Sequence, residues 1–247
     1  MVDMTNIFRI GIVCALSREA DPIIARLGLE QLPSVDPHVP ITIFGGAVDT
    51  CQVRLALIGQ DKRFGVDQIG TNGAVLTSYL LITSFAPDLL LNPGTAGGFL
   101  STGAALGDVF LGQGDVKFHD RRSPIQKYQG YCFGSYPTVS AARLATHLGL
   151  RTGVVSSGNS FDCTPIDLEY LKMNDASLKD MEAAAIGWVA WTKQIPFLPV
   201  KAVTDWIDSP ETAESTFNQN WRKACVALAR AVYDIVEFAN GRNLREF

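Results

Sequence analysis

The chain has 247 residues, of which 19% carry a charged side chain and 47% a hydrophobic one. Its mean hydropathy is slightly positive, at +0.13. This composition excludes a disordered chain, which would be rich in charge and poor in apolar residues. The net charge of −4 supplies no basic surface for nucleic acid or for an anionic membrane.

Neither the cysteines nor the apolar stretches indicate a secreted or membrane protein. The five cysteines form no CxxC pair, so neither a disulfide framework nor a zinc site is indicated. The stretch Gln68–Pro87 is long enough to span a membrane, but threonines, serines and glycines interrupt it, and we expect a helix buried inside the protein. Residues Met1–Leu16 include Asp3 and Arg9, unlike a secretory signal. We therefore expect a reduced cytoplasmic protein.

The first half of the chain predicts strands, one helix and a glycine-rich turn. Continuous apolar runs rich in β-branched residues are typical of buried strands. Two of these runs flank Asp49-Thr50, a gap of hairpin length. The predicted strands are Phe8–Ala15, Ile41–Val48, Cys51–Ile58, Leu89–Leu91 and Val109–Leu111. The predicted helix is Gly65–Phe85, and the predicted turn is Asn92–Gly98.

The second half of the chain alternates between helices and strands. We predict helices at Val139–Leu148, Pro165–Met173, Ala183–Lys193 and Ala213–Ala239, with Gly241 as a C-cap. The predicted strands between them are Gly153–Ser156, Leu178–Met181 and Phe197–Val203. This alternation predicts an α/β fold, a three-layer α/β/α sandwich around a mixed, mostly parallel sheet. No linker divides residues 1–247, so we expect a single domain.

Three carboxylates follow predicted strands, where ligands bind in open α/β folds. Glu19 and Glu182 each have a structural explanation in the first turn of a helix, and Asp205 could close a turn. Asp180 is interpreted as a helix cap. Together, however, Glu19, Glu182 and Asp205 recur at one sheet edge beside the glycine-rich turn, which favours a site. No dinucleotide motif and no metal-ligand spacing accompanies them, which disfavours a nicotinamide cofactor and a metal site.

Five segments occur in an order that resembles a known family. They are Ile10–Leu16 followed by Glu19, Asn92–Gly98, Ser157–Asp162, Asp180–Ala185 and Lys201–Asp205. These motifs are similar to those of the 5′-methylthioadenosine/S-adenosylhomocysteine nucleosidases of the nucleoside phosphorylase superfamily. Further segments resemble the plant-type branch, namely Gly107–Leu111, Phe118–Arg122, Asn174–Ala176 and Asn240–Leu244.

The resemblance implies a nucleosidase with an adenine thionucleoside as its small-molecule partner. The reaction it implies is hydrolysis of the N-glycosidic bond of 5′-methylthioadenosine, which yields adenine and a thioribose in methionine salvage. It leaves open whether S-adenosylhomocysteine is also accepted. In this family, the acid matching Asp205 protonates adenine at N7, and the carboxylate matching Glu19 orients and deprotonates the attacking water. The carboxylate matching Glu182 accepts hydrogen bonds from the ribose 2′ and 3′ hydroxyls.

The resemblance also implies how the rest of the site is built. Thr204 would support the acid, and Phe161 and the backbone around Cys163 would hold the adenine. The wall beside the sugar would consist of Thr95, Ala96 and Gly97, and the surface that receives the alkylthio group of Leu16, Val66 and Met181. Lys201 stands where bacterial members have an arginine near the water site. A homodimer is implied, with a partner loop near Phe118 and His119.

One residue departs from the family's motifs, and two alternative functions remain open at this point. Asn159 stands where the family usually has Asp, which weakens the inference for the purine-side loop. A phosphorolytic enzyme is the first alternative, because Arg18 lies in the loop after the first strand. Glu19 favours hydrolysis, since a carboxylate repels phosphate and can activate water. A catalytically silent nucleoside-binding protein is the second alternative, and the retention of all three carboxylates disfavours it.

Overall fold

The computed structural model describes residues 6–209 and 213–247. The strands in these residues are β1 (Arg9–Cys14), β2 (Glu30–Gln31), β3 (Thr42–Val48), β4 (Cys51–Leu57), β5 (Gln60–Asp61), β6 (Val66–Asp67), β7 (Leu89–Gly98), β8 (Val109–Gly112), β9 (Asp115–Phe118), β10 (Tyr136–Pro137), β11 (Arg151–Gly153), β12 (Val155–Ser157), β13 (Leu178–Asp180) and β14 (Phe197–Trp206). The α-helices are α1 (Ser17–Leu27), α2 (Thr71–Phe85), α3 (Gln129–Phe133), α4 (Ala142–Leu148), α5 (Pro165–Met173), α6 (Ala183–Lys193) and α7 (Ala213–Ala239). Short 3₁₀ turns lie at Leu100–Thr102, Gln126–Tyr128 and Leu244–Glu246.

A mixed sheet of twelve strands forms the centre of the protein. At its middle, β1 runs parallel to both β4 and β7, and β7 runs parallel to β14. The hairpin of β3 and β4 adds an antiparallel edge, as its two-residue turn predicts. Strands β8 and β13 are also antiparallel to their neighbours β14 and β7. The predicted mixed, mostly parallel sheet is confirmed.

Helices cover both faces of this sheet. Alternate residues of β1 point to opposite faces, so Ile10 and Ile12 pack in one hydrophobic cluster and Val13 in another. The first cluster includes apolar residues of α1, α4 and α7, and the second includes those of α2 and α6. The result is the predicted three-layer α/β/α sandwich. No helix in residues 6–209 and 213–247 is long and apolar enough to cross a membrane.

Helix boundaries confirm several predictions and correct others. The bounds of α5, α6 and α7 coincide with the predicted helices, whereas α4 begins three residues later than predicted, at Ala142. The predicted helix Gly65–Phe85 is wrong over its first six residues. Gly65 and Gly70 have left-handed φ angles of +68° and +87°, so the helix cannot include them, and α2 begins at Thr71. The hairpin of β5 and β6 precedes it.

Two strand predictions also need correction. The predicted strand Gly153–Ser156 is divided between β11 and β12, which pair with β8 and with β13 and β9, respectively. The predicted turn Asn92–Gly98 is wrong, because this segment is the continuous second half of β7 and pairs with β14 along its length. Its glycines allow close approach: a Cβ atom on Gly97 would lie 2.9 Å from Asp205 Oδ2. The segment therefore forms a flat wall.

Candidate active site

A cavity of about 300 Å³ lies where strands β1, β7, β13 and β14 end. The sequence-predicted residues that line it are Leu16, Thr95, Ala96, Gly97, Phe161, Met181, Glu182, Thr204 and Asp205. Residues that line it without having been predicted as site residues are Ala15, Arg18, Ile69, Lys179, Asp180, Glu214, Phe217 and Asn218. The structure thus brings together carboxylates from distant parts of the chain, as expected for the ends of neighbouring strands.

Asp205 reaches the cavity through a β-bulge in β14. Val203 pairs with Ala96 and Asp205 with Gly97, so Thr204 is an extra residue without a partner in β7. The Thr204 hydroxyl donates a hydrogen bond to Asp205 Oδ1 at 2.8 Å. Burial raises the pKa of Asp205, although the Thr204 hydrogen bond and the charge of Lys179 oppose the shift. Asp205 can therefore keep a proton to a higher pH than an exposed aspartate.

Glu19 is held behind the wall formed by the second half of β7. It lies in the first turn of α1, where its Oε2 accepts a hydrogen bond from the Leu16 backbone N–H at 3.3 Å. Its Oε1 accepts hydrogen bonds from the Thr95 backbone N–H at 2.7 Å and from the Thr95 hydroxyl at 2.6 Å. The side chain is buried and contacts the cavity wall without itself lining the cavity. These contacts fix the position of both carboxylate oxygens.

Glu182 and Asp180 differ in their roles although they are two residues apart. Asp180 caps α6, because its Oδ2 accepts a hydrogen bond from the Ala183 backbone N–H at 2.9 Å, so its structural interpretation is consistent with the geometry. Glu182 faces the cavity, and its Oε1 accepts a hydrogen bond from the Gly70 backbone N–H at 2.8 Å. Burial and the charge of Asp180 raise the pKa of Glu182 to about 7. Its charge therefore changes near neutral pH.

Lys201 lies beneath the site and is only 1% exposed. Its Nζ is 2.7 Å from Asn92 Oδ1 and 2.9 Å from Asp180 Oδ2. Burial lowers the pKa of Lys201, but the charges of Asp180, Glu182 and Glu19 outweigh burial and raise it overall. The ammonium group is thus kept charged, and it offsets part of the negative charge of the carboxylates around it.

Besides Glu19 and Lys201, two further predicted site residues lie outside the cavity lining. Val66 belongs to the short strand β6 and is 55% exposed, whereas Ile69, three residues later, lines the cavity. Cys163 is half-buried in the loop before α5 and does not line the cavity either. That loop is held from below by Lys179, which donates hydrogen bonds to the Ser160 and Phe161 carbonyl oxygens at 2.7 and 2.9 Å. Phe161 is therefore the part of the loop that reaches the cavity.

Asn159, which stands where the resemblance leads one to expect an aspartate, is held by hydrogen bonds that use both halves of its amide group. Its Oδ1 accepts hydrogen bonds from the backbone N–H and the hydroxyl of Thr71, both at 2.9 Å. Its own N–H and side-chain Nδ2 donate to Asp120 Oδ2 at 2.7 and 2.9 Å. An amide can donate and accept at once, whereas an ionised aspartate at this position would face the Asp120 carboxylate without a proton to donate. Asn159 thus joins three segments next to the cavity.

Lys179 and Phe217 are cavity residues that sequence reasoning missed, and Arg18 entered it only as the arginine of the phosphorolytic alternative. Lys179 carried a signal, since a lysine stands in a predicted buried strand. Arg18 and Phe217 are brought together by the packing of α1 against α7, with the Arg18 guanidinium 4.9 Å from the ring centre of Phe217. Phe217 in turn contacts Phe161 edge to face, at 5.6 Å between ring centres. No group of three histidine, cysteine, aspartate or glutamate side chains in the described residues has an arrangement that could hold a metal ion.

The chain belongs to the phosphorylase superfamily, whose sequence model matches residues 9–237. A 5′-methylthioadenosine nucleosidase of Arabidopsis thaliana is 36% identical over 95% of this chain and 88% of its own length. A 5′-methylthioadenosine/S-adenosylhomocysteine nucleosidase of the same plant is 34% identical over 99% of this chain and 97% of its own. The chain therefore belongs to the 5′-methylthioadenosine/S-adenosylhomocysteine nucleosidase family, as its motifs predicted.

Solved structures agree with this assignment. The apo structure of Arabidopsis thaliana 5′-methylthioadenosine nucleosidase superposes with a TM-score of 0.95, at 35% identity, covering 98% of this chain and all of that one. A nucleosidase from Colwellia psychrerythraea solved in complex with adenine has a TM-score of 0.77 over 97% of this chain and 98% of its own. At 20% identity, the latter comparison shows the fold alone.

Proposed function

We propose that the protein hydrolyses the N-glycosidic bond of 5′-methylthioadenosine, releasing adenine and methylthioribose in methionine salvage. The observation that carries this proposal is the set of three carboxylates around one cavity, each in a different environment. Asp205 is raised in pKa, Glu182 titrates near 7, and Glu19 is fixed by Leu16 and Thr95. Glycoside hydrolysis needs an acid for the leaving group and a base for water, and these environments fit that division of roles.

Asp205 is proposed as the general acid. As the bond between C1′ and N9 breaks, electron density moves into the adenine, and a proton delivered to N7 neutralises it. Burial keeps the Asp205 carboxyl protonated at higher pH, and the Thr204 hydroxyl orients it. A buried acid whose pKa approaches the working pH is an effective proton donor.

Glu19 is proposed to activate the attacking water. The Lys201 ammonium and the Glu19 carboxylate both lie close to Gly94, because a Cβ atom there would be 3.2 Å from Lys201 Nζ and 3.7 Å from Glu19 Oε2. A water molecule that is bound in the cavity and hydrogen-bonded to Glu19 would give one proton to this carboxylate while its oxygen forms the new bond to C1′. The proton lost by water and the proton gained by adenine balance the reaction.

The remaining lining residues fit the substrate by their chemistry. Ionised Glu182 would accept hydrogen bonds from the ribose 2′ and 3′ hydroxyls, and Leu16 and Met181 give an apolar surface for the methylthio group. Phe161 offers a ring to the adenine, and Thr95 to Gly97 form a close wall beside the sugar. Contacts to the sugar that strengthen as it gains positive charge would contribute to the transition state rather than to substrate binding alone.

The test is adenine release from methylthioadenosine with and without phosphate, followed by chromatography. We expect phosphate-independent release, with methylthioribose as the second product. Strict dependence on phosphate would instead assign the protein to the phosphorylases, and binding without turnover would make it a silent nucleoside-binding protein. Asp205→Asn should lose nearly all turnover while calorimetry still detects substrate binding. Wild-type turnover in this variant would refute the general-acid assignment.

We further propose that residues 1–247 act as one cytoplasmic domain that forms a homodimer. Helices α2 and α6 pack side by side and expose large apolar side chains, which are 41–59% exposed, namely Leu76, Tyr79, Trp188 and Trp191. A patch of this kind on one face marks an interaction surface. Sedimentation equilibrium should give twice the chain mass of 26.8 kDa, and a Trp191→Glu variant should shift the equilibrium toward monomer.

A further inference from the structure

A series of hydrogen bonds connects Asn159, which does not line the cavity, to Glu182, which does. The Gly70 backbone N–H donates to Glu182 Oε1 at 2.8 Å. The next residue, Thr71, donates from its backbone N–H and its hydroxyl to Asn159 Oδ1, both at 2.9 Å. N–H groups at the start of a helix have no acceptor within that helix. Asn159 and Glu182 therefore supply acceptors for neighbouring groups at the start of α2.

Gly70 lies between these two acceptors, and its backbone conformation depends on its neighbours. Its φ of +87° and ψ of −175° are open to glycine, but the residue has no side chain that would hold it there. A Cβ atom on Gly70 would lie 2.8 Å from Asn159 Oδ1, so the amide packs directly against this glycine. Because Asn159 holds Thr71 and packs against Gly70, it restrains the backbone whose N–H Glu182 accepts.

Asp120 holds Asn159 from the other side. Its Oδ2 accepts hydrogen bonds from the Asn159 backbone N–H at 2.7 Å and from Asn159 Nδ2 at 2.9 Å. Within residues 6–209 and 213–247, the other oxygen of this carboxylate is buried without a hydrogen-bond partner. The contact orients the amide, because its Nδ2 must face the Asp120 carboxylate while its Oδ1 faces the donors of Thr71.

The bond from Gly70 also affects the charge of Glu182. Burial and the charges of Asp180 and Glu19 favour the protonated form of this carboxyl group. The charge of Lys201 and the Gly70 hydrogen bond favour its ionised form. Only the ionised form can accept from two hydroxyls through both oxygens without itself donating. A fixed start of α2 therefore serves both the position and the ionised state of Glu182.

We propose that Asn159 is a positioning residue, which together with Asp120 fixes the start of α2 so that the Gly70 N–H aligns Glu182 with the ribose hydroxyls. This inference rests on the proposed nucleosidase function and adds a residue to the same site. Asn159 acts through the backbone of Gly70 and Thr71 and not by contact with the substrate. Loss of its amide should therefore weaken recognition of the ribose hydroxyls more than recognition of the rest of the substrate.

The experiment compares methylthioadenosine with its 2′-deoxy analogue, which lacks one of the two hydroxyls assigned to Glu182. The readout is the ratio of kcat/KM for methylthioadenosine to kcat/KM for the analogue, both measured by adenine release. In Asn159→Ala this ratio should fall by about 3- to 10-fold, which is the effect of one hydrogen bond. Thermal unfolding of each variant reports whether it is folded. An unchanged ratio, including an equal fall of kcat/KM for both substrates, would overturn the proposal.

Further variants test the contact with Asp120 and control for the substitution itself. Asn159→Asp places a second carboxylate against Asp120, so its ratio should also fall below that of the wild type. Adding Asp120→Asn to Asn159→Asp returns a donor to this contact, and the ratio should recover in part. No recovery in this double variant would overturn the role assigned to Asp120.

Asn72→Ala is the matched control. It removes an exposed asparagine from the first turn of α2 that does not line the cavity, and it should change the ratio by less than about twofold. A fall in Asn72→Ala as large as that in Asn159→Ala would overturn the proposal, because the effect would then not depend on the hydrogen bonds of Asn159.

An NMR titration of the free protein, with ¹³C-labelled glutamate carboxyl groups, gives a readout that needs no turnover. Glu182→Gln identifies the Glu182 signal. The pKa of Glu182 should be higher in Asn159→Ala than in the wild type, because the Gly70 hydrogen bond that favours the ionised form is weakened. An unchanged pKa would overturn the proposal.

The two readouts separate the positioning role from the proposed function. If the wild type releases no adenine but the pKa of Glu182 rises in Asn159→Ala, the positioning of Glu182 by Asn159 stands and the nucleosidase function fails. If adenine is released but neither the ratio nor the pKa changes in Asn159→Ala, the positioning role fails and the nucleosidase function stands.

Discussion

Removing the buried ammonium beneath the site tests the charge balance on which the cavity depends. Lys201→Met replaces this group with an apolar chain of similar length. Asp180, whose side chain is fully buried, would then lose the partner that lies 2.9 Å from its Oδ2, and Asn92 Oδ1 would lose its donor at 2.7 Å. Breaking a buried ion pair on one side costs more than the pair contributes, because the remaining charge stays buried without compensation.

The expected magnitude follows from what Asp180 keeps. It retains hydrogen bonds from the Ser157 hydroxyl at 2.5 Å, from the Ala183 N–H at 2.9 Å and from the Glu182 N–H at 3.3 Å, so the penalty should lie at the lower end of the usual range, about 3 kcal/mol. The orphaned Asn92 oxygen adds about 1 kcal/mol. We therefore expect a loss of about 4 kcal/mol in the free energy of unfolding, or roughly 8 to 16 °C in Tm.

Urea unfolding at about pH 7.5 measures this loss, with Lys62→Met as the matched control because Lys62 is exposed. The control should stay within about 0.5 kcal/mol of the wild type. Adding Asp180→Asn to Lys201→Met should recover part of the loss, since an amide leaves no unpaired charge and can still accept from Ala183 and donate to Ser157. A loss below about 1 kcal/mol in Lys201→Met, or a double variant less stable than this single one, would refute the reasoning.

Two further predictions concern protonation in the cavity. Between the ordinary glutamate value of 4.5 and about 7, the unfolded chain releases the proton of Glu182 while the folded protein keeps it, so the free energy of unfolding should fall as the pH rises. Glu182→Gln should lack this slope in urea unfolding at several pH values, and an identical slope would contradict the raised pKa. Thr204→Val removes a hydrogen bond that lowers the pKa of Asp205, so the alkaline limb of the kcat–pH profile should move to higher pH. If the alkaline limb of the profile does not move in Thr204→Val, Asp205 is not the general acid.

Periodicity and chain order were sufficient to predict the layers of the fold. Helices α5, α6 and α7 have clear starts and ends in the sequence, such as Pro165 and the capping residue Asp180, and their bounds match the structure. The start of α2 could not be located in this way, because the apolar composition continues across Gly65 and Gly70. Only the backbone conformation of these two glycines, set by the neighbouring hairpin, determines that the helix begins at Thr71.

The cavity was predictable where a residue directly follows a strand and unpredictable where helices meet over it. Glu182 and the wall of β7 follow from strand ends, and they line the cavity. Arg18 and Phe217 are about 200 positions apart in the chain, and their contact depends on how α1 packs against α7. Such packing is a tertiary property that a single sequence does not encode in any local pattern. The same holds for Val66, whose side chain turns to solvent in a hairpin that periodicity did not reveal.

The error at Asn92–Gly98 changes how the glycine motif should be understood. A turn would have placed irregular backbone beside the cavity, whereas the strand places a hydrogen-bonded wall there. Gly97 has an ordinary strand conformation, so a glycine is not needed here for an unusual backbone angle. Its missing side chain instead leaves room for the Asp205 carboxyl group, because a Cβ atom on Gly97 would lie 2.9 Å from Asp205 Oδ2. The bulge at Thr204 turns Asp205 toward that same space. Gly97 in β7 and the extra residue Thr204 in β14 therefore act together. They allow the Asp205 carboxyl group to pack against the neutral backbone of β7, and this burial raises the pKa of Asp205.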